Sequence, residues 1–97
     1  MDVRFSKKMQ KVCTNADEAR KRYGQRMARD ISACIDALAA ADSVEELIQG
    51  HIFRCHALTG NRKGQYAMDL VHPYRLIFEK GDDGAFYVIV IEIVDYH

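Results

Sequence analysis

The spacing of apolar residues changes once along the chain, and that change divides it. Up to about Gly50 they recur at intervals of three and four, and Tyr23, Met27, Ile31, Cys34, Ile35 and Leu38 form one stripe that predicts an amphipathic helix. Before the stripe, Asp2 to Phe5 reads as a short first strand, and Ser6 is placed to cap a helical turn or two beginning at Lys7. Thr14 and Asn15 interrupt that helix. Asn15 with Glu18 three residues on resembles a capping box from which a second helix restarts. Gly24 weakens this helix by about 1 kcal/mol relative to Ala and is a candidate bend. Ala39 to Ala41 close it, and Ser43 with Glu46 opens a short helix ending near Gly50.

After Gly50 the period is two. Ile52 to Leu58 reads as a strand, Thr59 to Gly64 as a loop between glycines, and Gln65 to Val71 as the next strand. His72-Pro73 turns the chain, Tyr74 to Glu79 returns it, and Gly81 to Gly84 make the last hairpin turn. The last strand, Phe86 to about Asp95, is apolar on both faces, which suits a central strand covered on both sides. Helices first and strands after predict an α+β fold: a mostly antiparallel sheet of four or five strands with two or three N-terminal helices on one face, in the order β-α-α-β-β-β-β. Residues 1–97 are read as one domain, with no repeat or linker.

Composition narrows the class. Nearly half of the residues are hydrophobic and only one is Pro, which describes a chain with a core rather than a disordered one. Cys13, Cys34 and Cys55 are an odd number without a C-x-x-C pair, which predicts free, buried thiols and a reducing compartment. The charged N-terminus lacks the apolar core of a signal peptide, and the apolar run from Ala85 to Val94 is too short to span a bilayer, so a cytoplasmic location is expected, away from membranes. The net charge of zero hides an asymmetry: residues 1–63 carry 12 Lys and Arg against 8 Asp and Glu, and residues 64–97 carry 2 against 6. Only the first part is suited to a polyanion.

The candidate chemistry lies in RCHALTGNRKGQYAMDLVHPYRLIFEK and in the final VIVIEIVDYH. His56 is either a half-buried structural residue or a proton-transfer group. Arg75 starts a strand between apolar and acidic neighbours and has an anion to meet, a carboxylate of its own protein or a phosphate. Arg62 and Lys63 are either solvated loop residues or phosphate ligands. Asp95, Tyr96 and His97 either close the sheet edge or serve a site. The period of two puts Asp95 and His97 on the face of Ile91 and Ile93, and Tyr96 on the other. His51, Cys55 and His56 match no zinc spacing, and no metal or cofactor is expected. His72, before Pro73 in a turn, is expected to be exposed, and Arg22, Arg26 and Arg29 form the exposed stripe of an amphipathic helix, with ribosomal RNA as the sharper alternative.

These segments together resemble the RelE/ParE toxin superfamily, and within it the HigB-like branch of plasmid-maintenance killer proteins. Members show a histidine just before a K-G-D/N-R-K/E-G loop, an aromatic-Arg-I/L-x-F strand and a D-Y-H terminus, as His56, Gly60 to Gly64, Tyr74 to Phe78 and Asp95 to His97 do here. The resemblance implies a RelE-like fold and a type II toxin that cuts messenger RNA in the ribosomal A site without a metal. It implies a HigA-like helix-turn-helix antitoxin, contact with 16S rRNA, and DNA reached only through the antitoxin. His56 and His97 would then be the acid–base pair, Asp95 would orient an imidazole or act as base, Arg75 would bind the scissile phosphate, Tyr96 would stack or hydrogen-bond, and Arg62 and Lys63 would bind substrate. Thr59 stands where many members carry lysine, and the neutral total is unlike a ribosome-directed toxin. The alternatives are a non-catalytic ParE-like toxin that binds DNA gyrase and an attenuated toxin that binds only its antitoxin.

Overall fold

One hydroxyl links the helical half of the chain to the sheet. In the computed structural model, which describes residues 1–81 and 86–95, β1 (Asp2–Phe5) leads into Ser6, whose Oγ accepts a hydrogen bond from the Met9 amide and so caps α1 (Lys7–Thr14). The same Oγ donates to the carbonyl of Ile91 at 2.9 Å, in β5 (Tyr87–Asp95). Asn15 caps α2 (Ala16–Tyr23) by accepting from the amides of Asp17 and Glu18. Gly24, at φ 88°, ends α2 by donating to Arg20 and starts α3 (Gln25–Ala40) by accepting from Ala28. The candidate bend is therefore a break, because a left-handed residue cannot continue a helix. Arg22 stands in α2, and Arg26 and Arg29 in α3, all exposed. Ser43 caps α4 (Val44–Gln49) through the Glu46 amide.

Between α4 and the sheet, the expected strand over residues 52–58 gives way to a turn. Ile52–Arg54 form a single 3₁₀ turn, and only His56–Ala57 (β2) pair with the sheet. His51, Phe53 and Arg54 lie at φ 54°, 48° and 52°. The alternation of Ile52 to Leu58 suits a strand, but the chain has to reverse from the end of α4 to the sheet edge within a few residues, and left-handed backbone makes that reversal. The loop after β2 holds a second 3₁₀ turn, Gly60–Arg62, and is closed by the Leu58 amide donating to Gln65. β3 (Gln65–Asp69) stops two residues before the expected Val71, because Leu70 and Val71 take up the His72-Pro73 turn, where the Leu70 amide bonds to Tyr74 and the Tyr74 amide to Val71. β4 (Tyr74–Lys80) follows. Phe86, 85% exposed, precedes β5 rather than starting it, and the rest of the expected 81–84 turn lies outside the described residues.

The sheet has the order β1-β5-β4-β3-β2. It is antiparallel except for β1, which runs parallel to β5, so β5 is an inner strand as expected. Cross-strand partners share a face. One face carries Met68, Leu76, Phe78, Val88 and Val90, all buried with Met9, Val12, Ala19, Met27, Ile31, Cys34, Leu38, Val44 and Leu47 of the helices in one core. The other face carries His56, Ala67, Ile77 and Glu92 in one row and Asp69, Arg75 and Val94 in the next.

A β-bulge makes this division possible. Ile77 pairs with Glu92 while Phe78 pairs with Val90, so Ile91 is the extra residue. Strict alternation would put Glu92 on the side of Val88 and Val90, inside the core, where an unpaired carboxylate is costly. The bulge turns Glu92 out and Ile93 in. Ser6 fixes it by bonding the carbonyl of the extra residue. Among the described residues, no helix is long and apolar enough to cross a membrane.

Candidate active site

The open face of the sheet collects the charged and titratable side chains. His56 and Arg75, with His51, Arg54 and Cys55, line a depression of about 280 Å³ at the β2 edge. Nδ1 of His56 lies 2.8 Å from the carbonyl oxygen of Arg54. A carbonyl only accepts, so Nδ1 carries the proton, and in the neutral ring Nε2 is left as the basic nitrogen. The turn at residues 51–54 thus sets the imidazole, because a regular strand would have spent that carbonyl on the ladder.

Arg75 meets a carboxylate of its own protein. Asp69, directly opposite in β3, brings Oδ1 to 3.3 Å from Nε of Arg75 and Oδ2 to 3.4 Å from Nε of Arg54. Arg54 and Asp69 were not among the residues singled out in the sequence, although the Asp69 to Arg75 register across a short turn was the signal that could have found the pair. Arg54 and Arg75 also line an adjoining depression of about 140 Å³ toward Leu70, His72 and Tyr74, with His72 exposed.

Arg62 is not a solvated loop residue. Its Nη1 donates to Gln65 Oε1 at 2.9 Å and to Glu92 Oε2 at 3.0 Å, and so the side chain crosses from β3 to β5 above Ile77 of β4. Ile77 and Ala67 are fully buried on this face. Lys8 of α1 approaches Glu92 at 3.9 Å. Lys63 is exposed and has no ion pair among the described residues.

Asp95 pairs with Tyr74 at the exposed end of β5, on the side of Ile93 and Leu76, so it sits on the helix face and His56 and Arg75 on the open one. Tyr96 and His97 lie outside the described residues.

Cys55 carries a free, buried thiol. Burial pushes its thiol up to about 11, and Cys13 likewise. Cys34 is pushed to about 12, first by burial and then by the negative charge of Asp30, Cys55 and Asp69. Among the described residues no three His, Cys, Asp or Glu side chains are grouped to hold a metal ion. A larger depression, of about 370 Å³, lies between α2 and α3 and is lined by Arg20, Gln25, Arg29, Asp36 and small residues, without a histidine or cysteine.

Solved structures share this arrangement of strands and helices over the full chain. A YoeB/ParE toxin from Agrobacterium tumefaciens aligns over 100% of both chains at 15% identity with a TM-score of 0.68. A chain of the YoeB-YefM complex from Staphylococcus aureus aligns over 100% of this chain and 97% of its own, at 16% identity and a TM-score of 0.67. The chain has the fold of these toxins. A YafQ mutant from E. coli is similar over 95% of this chain and 89% of its own, at 17% identity and a TM-score of 0.64. No protein-family model and no curated protein matches the sequence. At such identities the likeness is one of fold, and function has to be argued from the site.

Proposed function

We propose that the chain is the toxin of a toxin–antitoxin pair, of the HigB-like kind, and that it cleaves messenger RNA in the ribosomal A site. The observation that carries this reading is the His56 imidazole, held at Nδ1 by the Arg54 carbonyl with Nε2 available, in one depression with Arg75. Metal-free cleavage requires attack of the ribose 2′-oxygen on the adjacent phosphorus, with the 2′ proton leaving to a base. The bond to the 5′-oxygen then breaks as that oxygen takes a proton from an acid, and the strand ends in a cyclic phosphate and a 5′-hydroxyl. His56 supplies one proton-transfer group at Nε2. His97 is the proposed second, with Asp95 and Tyr96 beside it in sequence. Arg75 offers positive charge to the phosphorane. Arg62, tied to Glu92, holds the loop that carries Lys63 against the sheet, and Lys63 is the loop's cation for substrate. The fold shared with a chain of a toxin–antitoxin complex supports an antitoxin partner, here a HigA-like helix-turn-helix protein. Messenger RNA, 16S rRNA and a cytoplasmic setting belong to the same reading.

The test is 5′-end mapping of messenger RNA after the purified protein is added to programmed ribosomes, with naked RNA and a His97→Ala variant alongside. Discrete cuts at the A-site codon that need both the ribosome and His97 are expected. Intact message at high protein concentration would exclude the nuclease and leave gyrase inhibition or antitoxin binding alone.

A further inference from the structure

Asp69 serves two arginines from one carboxylate, 3.3 Å from Nε of Arg75 and 3.4 Å from Nε of Arg54. Asp69 and Arg75 are largely covered, at 28% and 29% side-chain exposure, whereas Arg54 is 76% exposed. An ion pair so exposed adds little to stability. Among the described residues, Arg54 and Arg75 bring two positive charges to this one carboxylate, and all three lie near His56. Asp69 Oδ1 is shielded from solvent yet accepts no well-aligned hydrogen bond, so charge rather than direction holds Arg75 to it.

Arg54 is unusual in its backbone as well. It lies at φ 52°, a conformation that L residues with side chains rarely take. Its carbonyl orients the His56 ring. Its side chain lines both depressions that Arg75 lines. One strained residue therefore sets the imidazole through its main chain and brings a guanidinium to the same place, and strain of this kind persists where the surrounding structure requires it.

We propose that Arg54 is a second phosphate-binding residue and Asp69 the positioning residue that sets it beside Arg75, so that the two guanidiniums meet neighbouring phosphodiesters of a single-stranded RNA. This deepens the nuclease reading and rests on it for the ligand. Asp69 draws the Nε end of each arginine by charge, which keeps the two guanidiniums beside each other at the site.

The experiment measures equilibrium binding of a 2′-O-methylated single-stranded RNA, which lacks the attacking hydroxyl and stays intact, to the full chain over a salt series. Arg54→Gln keeps the carbonyl and removes the charge, and it should lower the steepness of log K against log salt by about 0.7, the value of one phosphate contact on a single strand. Arg22→Gln, on an exposed helix, should leave the slope unchanged. Asp69→Asn decides the positioning role: a residue that only offset charge would bind RNA more tightly once neutralised, whereas a positioning residue gives weaker binding that Asp69→Glu partly restores. An unchanged slope in Arg54→Gln, an equal loss in Arg22→Gln, tighter binding in Asp69→Asn, or no RNA binding by the wild type would each overturn the proposal. Cleavage on programmed ribosomes is read separately, so wild-type cutting with an Arg54→Gln variant of equal KM would sink this inference and leave the nuclease standing.

Discussion

The two faces of the sheet are built from the same strands and obey different rules. On the helix face, Met68, Leu76, Phe78, Val88 and Val90 close against four helices, and the cross-strand pair Tyr66 and Phe78 stacks with ring centroids 5.4 Å apart. On the open face, among the described residues, only Ala67 and Ile77 are fully buried, and Arg62 spans from Gln65 to Glu92 on the same side. Stability is thus concentrated on one side and the candidate site on the other. The difference teaches that side chains of the open face can be changed for function while the helix face carries the fold.

The largest expected effect breaks the dry face. Phe78→Ala removes a fully buried ring and should cost about 3–5 kcal/mol in chemical denaturation, with activity per folded molecule kept. Equal loss of activity in the folded fraction would mean that the two faces are coupled. His56→Ala should do the reverse. Loss of one proton-transfer group predicts cleavage down by about 10²–10⁴-fold, measured by primer extension on programmed ribosomes, with the thermal midpoint little changed. A large fall in midpoint would identify His56 as structural.

The thiols mark the dry side by their protonation. Cys34 loses its proton near 12 in the folded chain against an ordinary 9.0, so the folded state binds that proton more tightly than the unfolded one. Its contribution to stability is complete below pH 9 and is lost as pH rises through the folded value. Thermal melts should therefore fall between pH 9 and 12, with about 3 kcal/mol of the decline at pH 11 absent in Cys34→Ala. An unchanged alkaline slope in that variant would show the thiol to be hydrated.

Ser6 joins the two faces, and Ser6→Ala should cost about 1–2 kcal/mol through the lost α1 cap. Because the same hydroxyl holds the Ile91 carbonyl, amide exchange should rise around the bulge as well as in α1. Protection lost in α1 alone would mean that the bulge stands without it.

The sequence was legible where local signals agree with the fold. The Asn15 and Ser43 caps, the stripe through Met27, Ile31, Cys34 and Leu38, and the three strands from Gln65 onward hold, with β3 two residues shorter and β5 starting one residue later than expected, because period and capping chemistry act over one turn or one strand. Two features were not legible. The alternation of Ile52 to Leu58 is that of a strand, and nothing local reveals that the chain must reverse there after α4. The bulge at Ile91 is invisible to a period of two, which is why the run from Phe86 to Asp95 reads as apolar on both faces while its inner carboxylate, Glu92, turns to the open side. At the candidate site, His56 and Arg75 were singled out in the sequence, and the structure brings them into one depression. Arg54 and Asp69 were not, since an arginine in a presumed strand and an aspartate near its end acquire meaning only when the turn and the register bring them together.

The smallest expected effect concerns Arg54 and gives the sharpest contrast between the faces. Its left-handed backbone costs a residue with a side chain about 1–2 kcal/mol, a penalty that glycine escapes. Its exposed ion pair with Asp69 contributes about 0–1 kcal/mol, so removing it gives back little. Arg54→Gly should therefore hold stability or raise it by up to about 1 kcal/mol in denaturant titration, whereas a glycine on the helix face would open a cavity. The same variant keeps the carbonyl that bonds His56 but loosens the turn that aims it and removes the guanidinium, so cleavage on programmed ribosomes should fall. A more stable and less active protein would identify the turn as strain kept for function. A less stable one would mean that the Arg54 side chain supports the edge of the sheet, and the division between the two faces would then fail at β2.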